Sequence, residues 1–221
     1  MVMDASQDIW KARAAACELV ALSFRYPDEQ LVNVVASGEW SAAANEILVA
    51  LGVESCSQQD GLDVCDAKSN DLHALRQEAT RLFIGVPKAA ASPYEGIWRA
   101  EQDGVEPLLF VNPHTEKVAR FCHSCGLAGA SDANEPLDHV CAEFELLQYL
   151  ALVAGGLSAA PDGVDFPGGS AEAAFDSFVV CHLLLWIDDF CAAVDEHAVS
   201  PFYKKAAEFA RLVARSFTPQ H

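Results

Sequence analysis

Apolar residues in this chain recur every three to four positions, and almost every such run is closed by proline or glycine. Ala15, Leu19, Leu22 and Tyr26 form one stripe, and Leu137, Val140, Cys141, Phe144 and Leu147 form another. That spacing matches the 3.6-residue turn of a helix and conflicts with the two-residue repeat of a strand. Alternation of the strand kind is confined to 105–111. The chain is therefore predicted to be all-α, a single bundle of about eight to ten helices spanning 1–221.

Cap and stop residues place those helices. Ser6 caps a first helix that Pro27 stops. Asp28 caps a short second one, closed by Ser37-Gly38, and a third covers 39–51. Asn70 caps a helix to Ile84, ended by Gly85 and Pro87. Asn112 followed by Pro113 opens another, because the first helical N–H has no partner and proline loses nothing there. Pro136 opens a helix over 136–154, closed by Gly155-Gly156. Ser170 caps a long segment to His197, broken near its middle, and Ser200-Pro201 starts the last helix. An irregular connection at about 87–111 and flexible loops at about 52–69 and 155–169 complete the reading.

Charge narrows the partners. Fourteen Lys and Arg against 32 Asp and Glu give −18. Such a surface repels nucleic acid and anionic lipid, and it favours basic partners such as an arginine-bearing peptide. Acidity also serves simple solubility. The first ten residues lack an apolar stretch after a basic start. The strongest apolar run, 178–187, is interrupted by His182, whereas a span needs about 18 apolar residues. A cytoplasmic protein without stable membrane insertion is expected. Eight cysteines in a chain of this size read as reduced thiols, with Cys17, Cys141, Cys181 and Cys191 in apolar helical patterns.

Three segments carry candidate chemistry. In 134–147, Asp138 falls in the expected first turn, where the helix dipole favours a negative charge. Glu135, His139 and Glu143 are spaced i, i+4, i+8 on a face apart from the apolar stripe. Two flanking carboxylates favour the protonated imidazole; the same spacing also suits ordinary ion pairs on a solvated face. In 92–98, Tyr94 and Trp98 can either capture a peptide or pin the loop to the bundle. Cys122 and Cys125 form one CxxC without a second pair, which a closed zinc site would need. No GxSxG, HExxH, Walker or GxGxxG signature is present, so no catalytic residue, cofactor or metal is assigned. The competing reading is a metal-dependent enzyme or metal-binding protein using Glu135, His139, Glu143 and, with them, Cys122 and Cys125.

The run Glu135-Pro136-Leu137-Asp138-His139-Val140-Cys141-Ala142-Glu143-Phe144-Glu145-Leu146 resembles the E-P-x-D-H motif segment of the TorD/DmsD chaperones. Leu82-Phe83-Ile84-Gly85 is similar to that family's L-F-x-G helix end, and Pro93-Tyr94-Glu95-Gly96-Ile97-Trp98 to its P-x-E-S-V-aromatic loop. His182-Leu183 through Trp186 and Phe202-Tyr203 follow in the family's order. Gly96 departs from the usual serine, and Phe144 and Leu146 exchange the usual pair.

The resemblance implies a helical fold without catalysis, as a monomer or a domain-exchanged dimer. It implies a cytoplasmic chaperone that binds the twin-arginine signal peptide of a molybdopterin oxidoreductase of the DMSO reductase type. That chaperone holds the apo form back from export until it is mature. Carried over by position, Asp138, His139 and Trp98 are implicated in leader recognition, with Pro136 shaping the turn. Glu95, Glu135 and Glu143 are further candidates to pair with leader guanidinium groups, and Tyr94 joins Trp98 at the edge of an apolar groove.

Overall fold

The computed structural model describes residues 5–53, 62–64, 71–85, 88–106, 112–127 and 136–219. Among these residues the chain is all-α, with ten α-helices and a lone antiparallel bridge in place of sheet.

Five helices make the centre: α1 (Ala5–Phe24), α7 (Val140–Ala154), α8 (Ala171–Cys181), α9 (Ile187–His197) and α10 (Pro201–Ser216). The α1–α7 contact is the most extensive, and α7 also packs on α8 while α10 packs on α9 and α1. Small residues on α1, among them Ala14, Ala16, Cys17 and Ala21, are buried and let the two backbones approach closely. Val140, Phe144, Leu147, Leu150 and Ala151 are inaccessible on α7, and Glu143 is too. A helix buried nearly all round belongs to the middle of a core. Each large apolar side chain so buried contributes roughly 1.5–3 kcal/mol. The amphipathic α10 instead buries Phe202, Tyr203, Ala206, Phe209, Ala210 and Val213 and leaves Lys204 and Glu208 in solvent.

The smaller helices wrap this centre. In α2 (Glu29–Ala36), Asp28 accepts the Leu31 N–H at 2.9 Å as expected. Trp40 of α3 (Glu39–Ala50) is fully buried, its indole N–H donating to Ser23 Oγ at 2.9 Å. The helix α4 (Leu72–Ala79) runs into a wide π turn over Thr80–Ile84. Asp71, not Asn70, caps it, accepting from Ala74 N at 2.8 Å. In α6 (Pro113–Ser124), Asn112 caps through Oδ1 and Pro113 stands first, as expected.

Ser6, expected to cap the first helix, lies inside α1, and two larger expectations change. The connection at 87–111 is not wholly irregular, because α5 (Glu95–Gln102) lies inside it. The helix over 136–154 starts later, at Val140, with residues 136–138 in a turn and His139 extended (φ −72°, ψ 139°). Both have one cause. Glu95 N donates to Asp138 O at 2.9 Å and Val140 N donates to Pro93 O at 2.8 Å. This short antiparallel pairing pulls 138–139 out of helical geometry and fixes the start of α5. The segment after Ser170 breaks at His182 into a 3₁₀ turn over Leu183–Leu185 before α9. Of the loop at 52–69, most lies outside the described residues; Leu62 is buried and Val64 N donates to Ser41 Oγ at 3.2 Å. The stretch 155–169 includes a 3₁₀ turn at Pro167–Gly169.

Candidate functional site

The two segments singled out in the sequence meet at one junction. Tyr94 and His139 form the antiparallel bridge, and their rings touch edge to face at 5.1 Å. Asp138 Oδ2 accepts the Gly96 N–H at 2.9 Å and the Thr115 hydroxyl at 2.8 Å. Asn112 Nδ2 donates to Gly96 O at 2.6 Å. Gly96 is thus enclosed on three sides. A Cβ there would lie 2.7 Å from Thr115 Oγ1, 2.8 Å from Asp138 Oδ2 and 2.9 Å from Asn112 Nδ2. Close approach, not backbone dihedral freedom, keeps the position a glycine.

Behind the junction three carboxyl groups are buried together. Glu95 and Asp138 are each 1% exposed and Glu143 is 0% exposed. His182 Nδ1 lies 3.0 Å from Glu95 Oε2, its ring stacked on Phe178 at 4.8 Å. The Trp186 indole N–H donates to Glu143 Oε2 at 3.1 Å. Burial, followed by the charges of Glu95 and Asp138, holds the Glu143 carboxyl well above the usual carboxylate range. Its Oε1 is buried without a hydrogen-bond partner, which a neutral carboxyl tolerates better than a charged one. Burial also raises Asp138, against the bonds from Gly96 and Thr115. These three acids were expected to face a ligand's guanidinium groups; they face the core instead. Glu143 lies on the covered side of α7 against Trp186, whereas Glu95 at the start of α5 and Asp138 ahead of α7 are held inside the junction by His182, Gly96 and Thr115.

In front of the junction lies a groove. One hollow of about 430 Å³ is walled by Phe24, Tyr26, Phe83, Ile84, Tyr94, Leu137 and His139, with Pro136 and Ala142 also lining it. A second, of about 400 Å³, shares Leu137, Ala142 and Glu145 with the first and continues past Leu127, Leu146 and Tyr149. The π turn brings Phe83 and Ile84 to the rim, while the end of α1 supplies Phe24 and Tyr26. Arg76 fixes that end, its Nε donating to Pro27 O at 2.9 Å. Glu145 is the carboxylate that lines both hollows, and Arg25 Nη2 donates to its Oε1 at 2.7 Å.

His139 belongs to this groove in its neutral form. Its Nδ1 accepts the Cys141 N–H at 3.1 Å and caps α7, which leaves the ring proton on Nε2. Burial pushes its pKa down to about 4, against the attraction of Glu145. The expectation of a protonated imidazole held between Glu135 and Glu143 is therefore corrected. Glu143 points inward, and Glu135 lies outside the described residues.

Of the eight candidate positions, Tyr94, Pro136 and His139 reach the groove, and Glu95, Asp138 and Glu143 lie buried behind it. Trp98 is half-buried, packs on the core and donates its indole N–H to Ser92 O at 2.7 Å, so it pins the loop to the bundle. Sequence reasoning missed the walls supplied by Phe24, Phe83 and Leu137 and the carboxylate of Glu145. In sequence, Leu82-Phe83-Ile84-Gly85 marks only a helix end. Cys122 and Cys125 are buried, and burial pushes their thiols up to about 12 and about 11. Among the described residues no group of three His, Cys, Asp or Glu side chains is placed to hold a metal ion.

The sequence profile of the nitrate reductase delta subunit family matches residues 38–192. The chain belongs to this family. The match takes in the π turn, the Pro93–Gly96 loop, the buried acids and both hollows apart from the end of α1. It agrees with the resemblance to the TorD/DmsD chaperones. The family's role is chaperoning the maturation of redox enzymes rather than catalysis. No curated protein matches the chain. No single described helix is long and apolar enough to cross a membrane.

Proposed function

We propose that this nitrate reductase delta-type chaperone holds the N-terminal segment of a molybdoenzyme in the groove between the end of α1, the π turn and the start of α7. The client segment is a twin-arginine signal peptide of a DMSO reductase-type enzyme, and its release follows maturation in the cytoplasm. One observation carries the reading: two neighbouring apolar hollows, the first with aromatic walls, share Leu137, Ala142 and the carboxylate of Glu145 in their lining. Their apolar walls suit the hydrophobic stretch of a leader, and Glu145 suits the basic start. The net charge of −18 steers a cationic segment toward the surface.

A second reading is favoured by the family match itself. On this reading the client is a nitrate reductase-type subunit whose N-terminal segment, not a twin-arginine leader, occupies the same groove. Titration of labelled peptides from both kinds of N-terminus separates the two. Ala142→Trp, which adds bulk to the wall shared by both hollows, is expected to abolish binding of whichever peptide binds, with the circular dichroism spectrum unchanged. Undiminished binding by this variant overturns the groove as the site.

A further inference from the structure

We infer that Arg25 is an internal stand-in for the ligand's cationic side chain, occupying Glu145 until a guanidinium-bearing segment displaces it. The inference rests on the groove reading above. Glu145 lines both hollows, so a segment lying along the groove passes over it. Arg25 follows directly on Phe24, the last residue of α1, and its own backbone N–H is tied to Ala21 O at 3.2 Å. Its side chain reaches across to Glu145 from a fixed base.

The contact is built to be exchanged. Arg25 offers Nη2 to Oε1 at 2.7 Å, and among the described residues Glu145 Oε2 carries no hydrogen bond. A guanidinium arriving from the ligand can take both oxygens in a forked pair, the stronger geometry. Both side chains are about half exposed, at 54% and 48%. An exposed pair of this kind is weak, and opening it reduces affinity by no more than about five-fold. The groove then selects for a cation twice over. A ligand without one leaves Arg25 in place and gains nothing from Glu145.

Two synthetic peptides of about 20 residues test this, one with two adjacent arginines ahead of a leucine-rich stretch and one with glutamines in their place. Arg25→Gln is expected to bind the arginine peptide about two- to five-fold tighter and the glutamine peptide unchanged. Arg25→Lys, which keeps a single-point latch, is expected to bind as the parent does. Glu145→Gln is expected to weaken the arginine peptide alone and to erase the gain of Arg25→Gln in the double variant. Arg120→Gln, an exposed charge elsewhere on α6, controls for net charge and is expected to change nothing. A gain from Arg120→Gln equal to that from Arg25→Gln overturns the stand-in. So does an unchanged or weaker Arg25→Gln while Ala142→Trp still abolishes binding; the groove then survives without its latch. If Ala142→Trp changes neither peptide's affinity, the groove reading falls and the latch falls with it.

Discussion

Asp138 Oδ2 accepts the backbone N–H of Gly96 at 2.9 Å across a sequence separation of 42 residues. The first turn of α5 is thus capped by a side chain from the turn that leads into α7, and the two motifs of the family signature are one structural unit. Asp138 Oδ2 is thereby committed to the junction, while Oδ1 is buried without a hydrogen-bond partner.

Asp138→Ala is accordingly expected to act on folding. It leaves the Gly96 N–H and the Thr115 hydroxyl without their acceptor in a buried place, at a cost of about 1–3 kcal/mol. Asp138→Asn keeps one oxygen for Gly96 and should lose less. Urea unfolding of both variants checks the order. Equal stability of Asp138→Ala and the parent would remove the capping role.

Gly96→Ala tests the same junction from the other side. The new Cβ meets Thr115 Oγ1, Asp138 Oδ2 and Asn112 Nδ2, all within 2.9 Å. Overpacking of this kind costs about 1–3 kcal/mol. Adding Thr115→Ala removes the nearest atom and should recover part of the loss in thermal melts.

Tyr94 and Trp98 looked equivalent in sequence and separate in space. Tyr94 lines the groove against His139, whereas Trp98 packs on the core and donates to Ser92 O. Trp98→Ala should therefore lower stability by about 2–3 kcal/mol through lost packing and an unpaired carbonyl. Tyr94→Ala should lower peptide affinity more than stability. Calorimetry of binding beside denaturant titration of each variant reads both quantities, and the reverse ranking refutes the assignment.

What could be read in the sequence was local. Asp28, Asn112 and Ser170 cap the helices that follow them, and each bond spans no more than three residues. The all-α class follows from such signals together with the 3.6-residue stripes. By contrast, α5 has no side-chain cap from Tyr94 at its own N-cap position, and Asp138 supplies one from far along the chain. Periodicity cannot report that, so the helix was lost inside a supposed irregular connection. The same pairing delays α7 to Val140. The groove was hidden for a related reason: Phe24, Phe83 and Leu137 come from three separate segments and become neighbours only on folding. Glu143 was misplaced because spacing distinguishes the faces of a helix but does not tell how many of them are covered.

The pH dependence of stability separates His139 from Glu143, because their shifts have opposite signs. The folded His139 has its pKa pushed down to about 4 from 6.5, so between these values the unfolded chain binds more protons. Its contribution is complete above pH 6.5 and is lost as pH falls toward 4. For a half-buried ring this amounts to about 2 kcal/mol. Glu143 is raised well above its ordinary 4.5, so above that pH the folded chain binds more protons. Its contribution is complete below pH 4.5 and declines as pH rises through the folded value. His139→Asn keeps a capping side chain for α7 and removes the titration. Glu143→Gln keeps an oxygen for the Trp186 N–H, and it removes the other titration. Relative to the parent, His139→Asn should flatten the loss of stability on acidification from pH 6.5 to 4. Glu143→Gln should flatten the decline on the alkaline side. Chemical denaturation at half-unit steps between pH 4 and 9 measures both limbs. If Glu143→Gln leaves the alkaline limb unchanged, the carboxyl is not protonated in the folded chain.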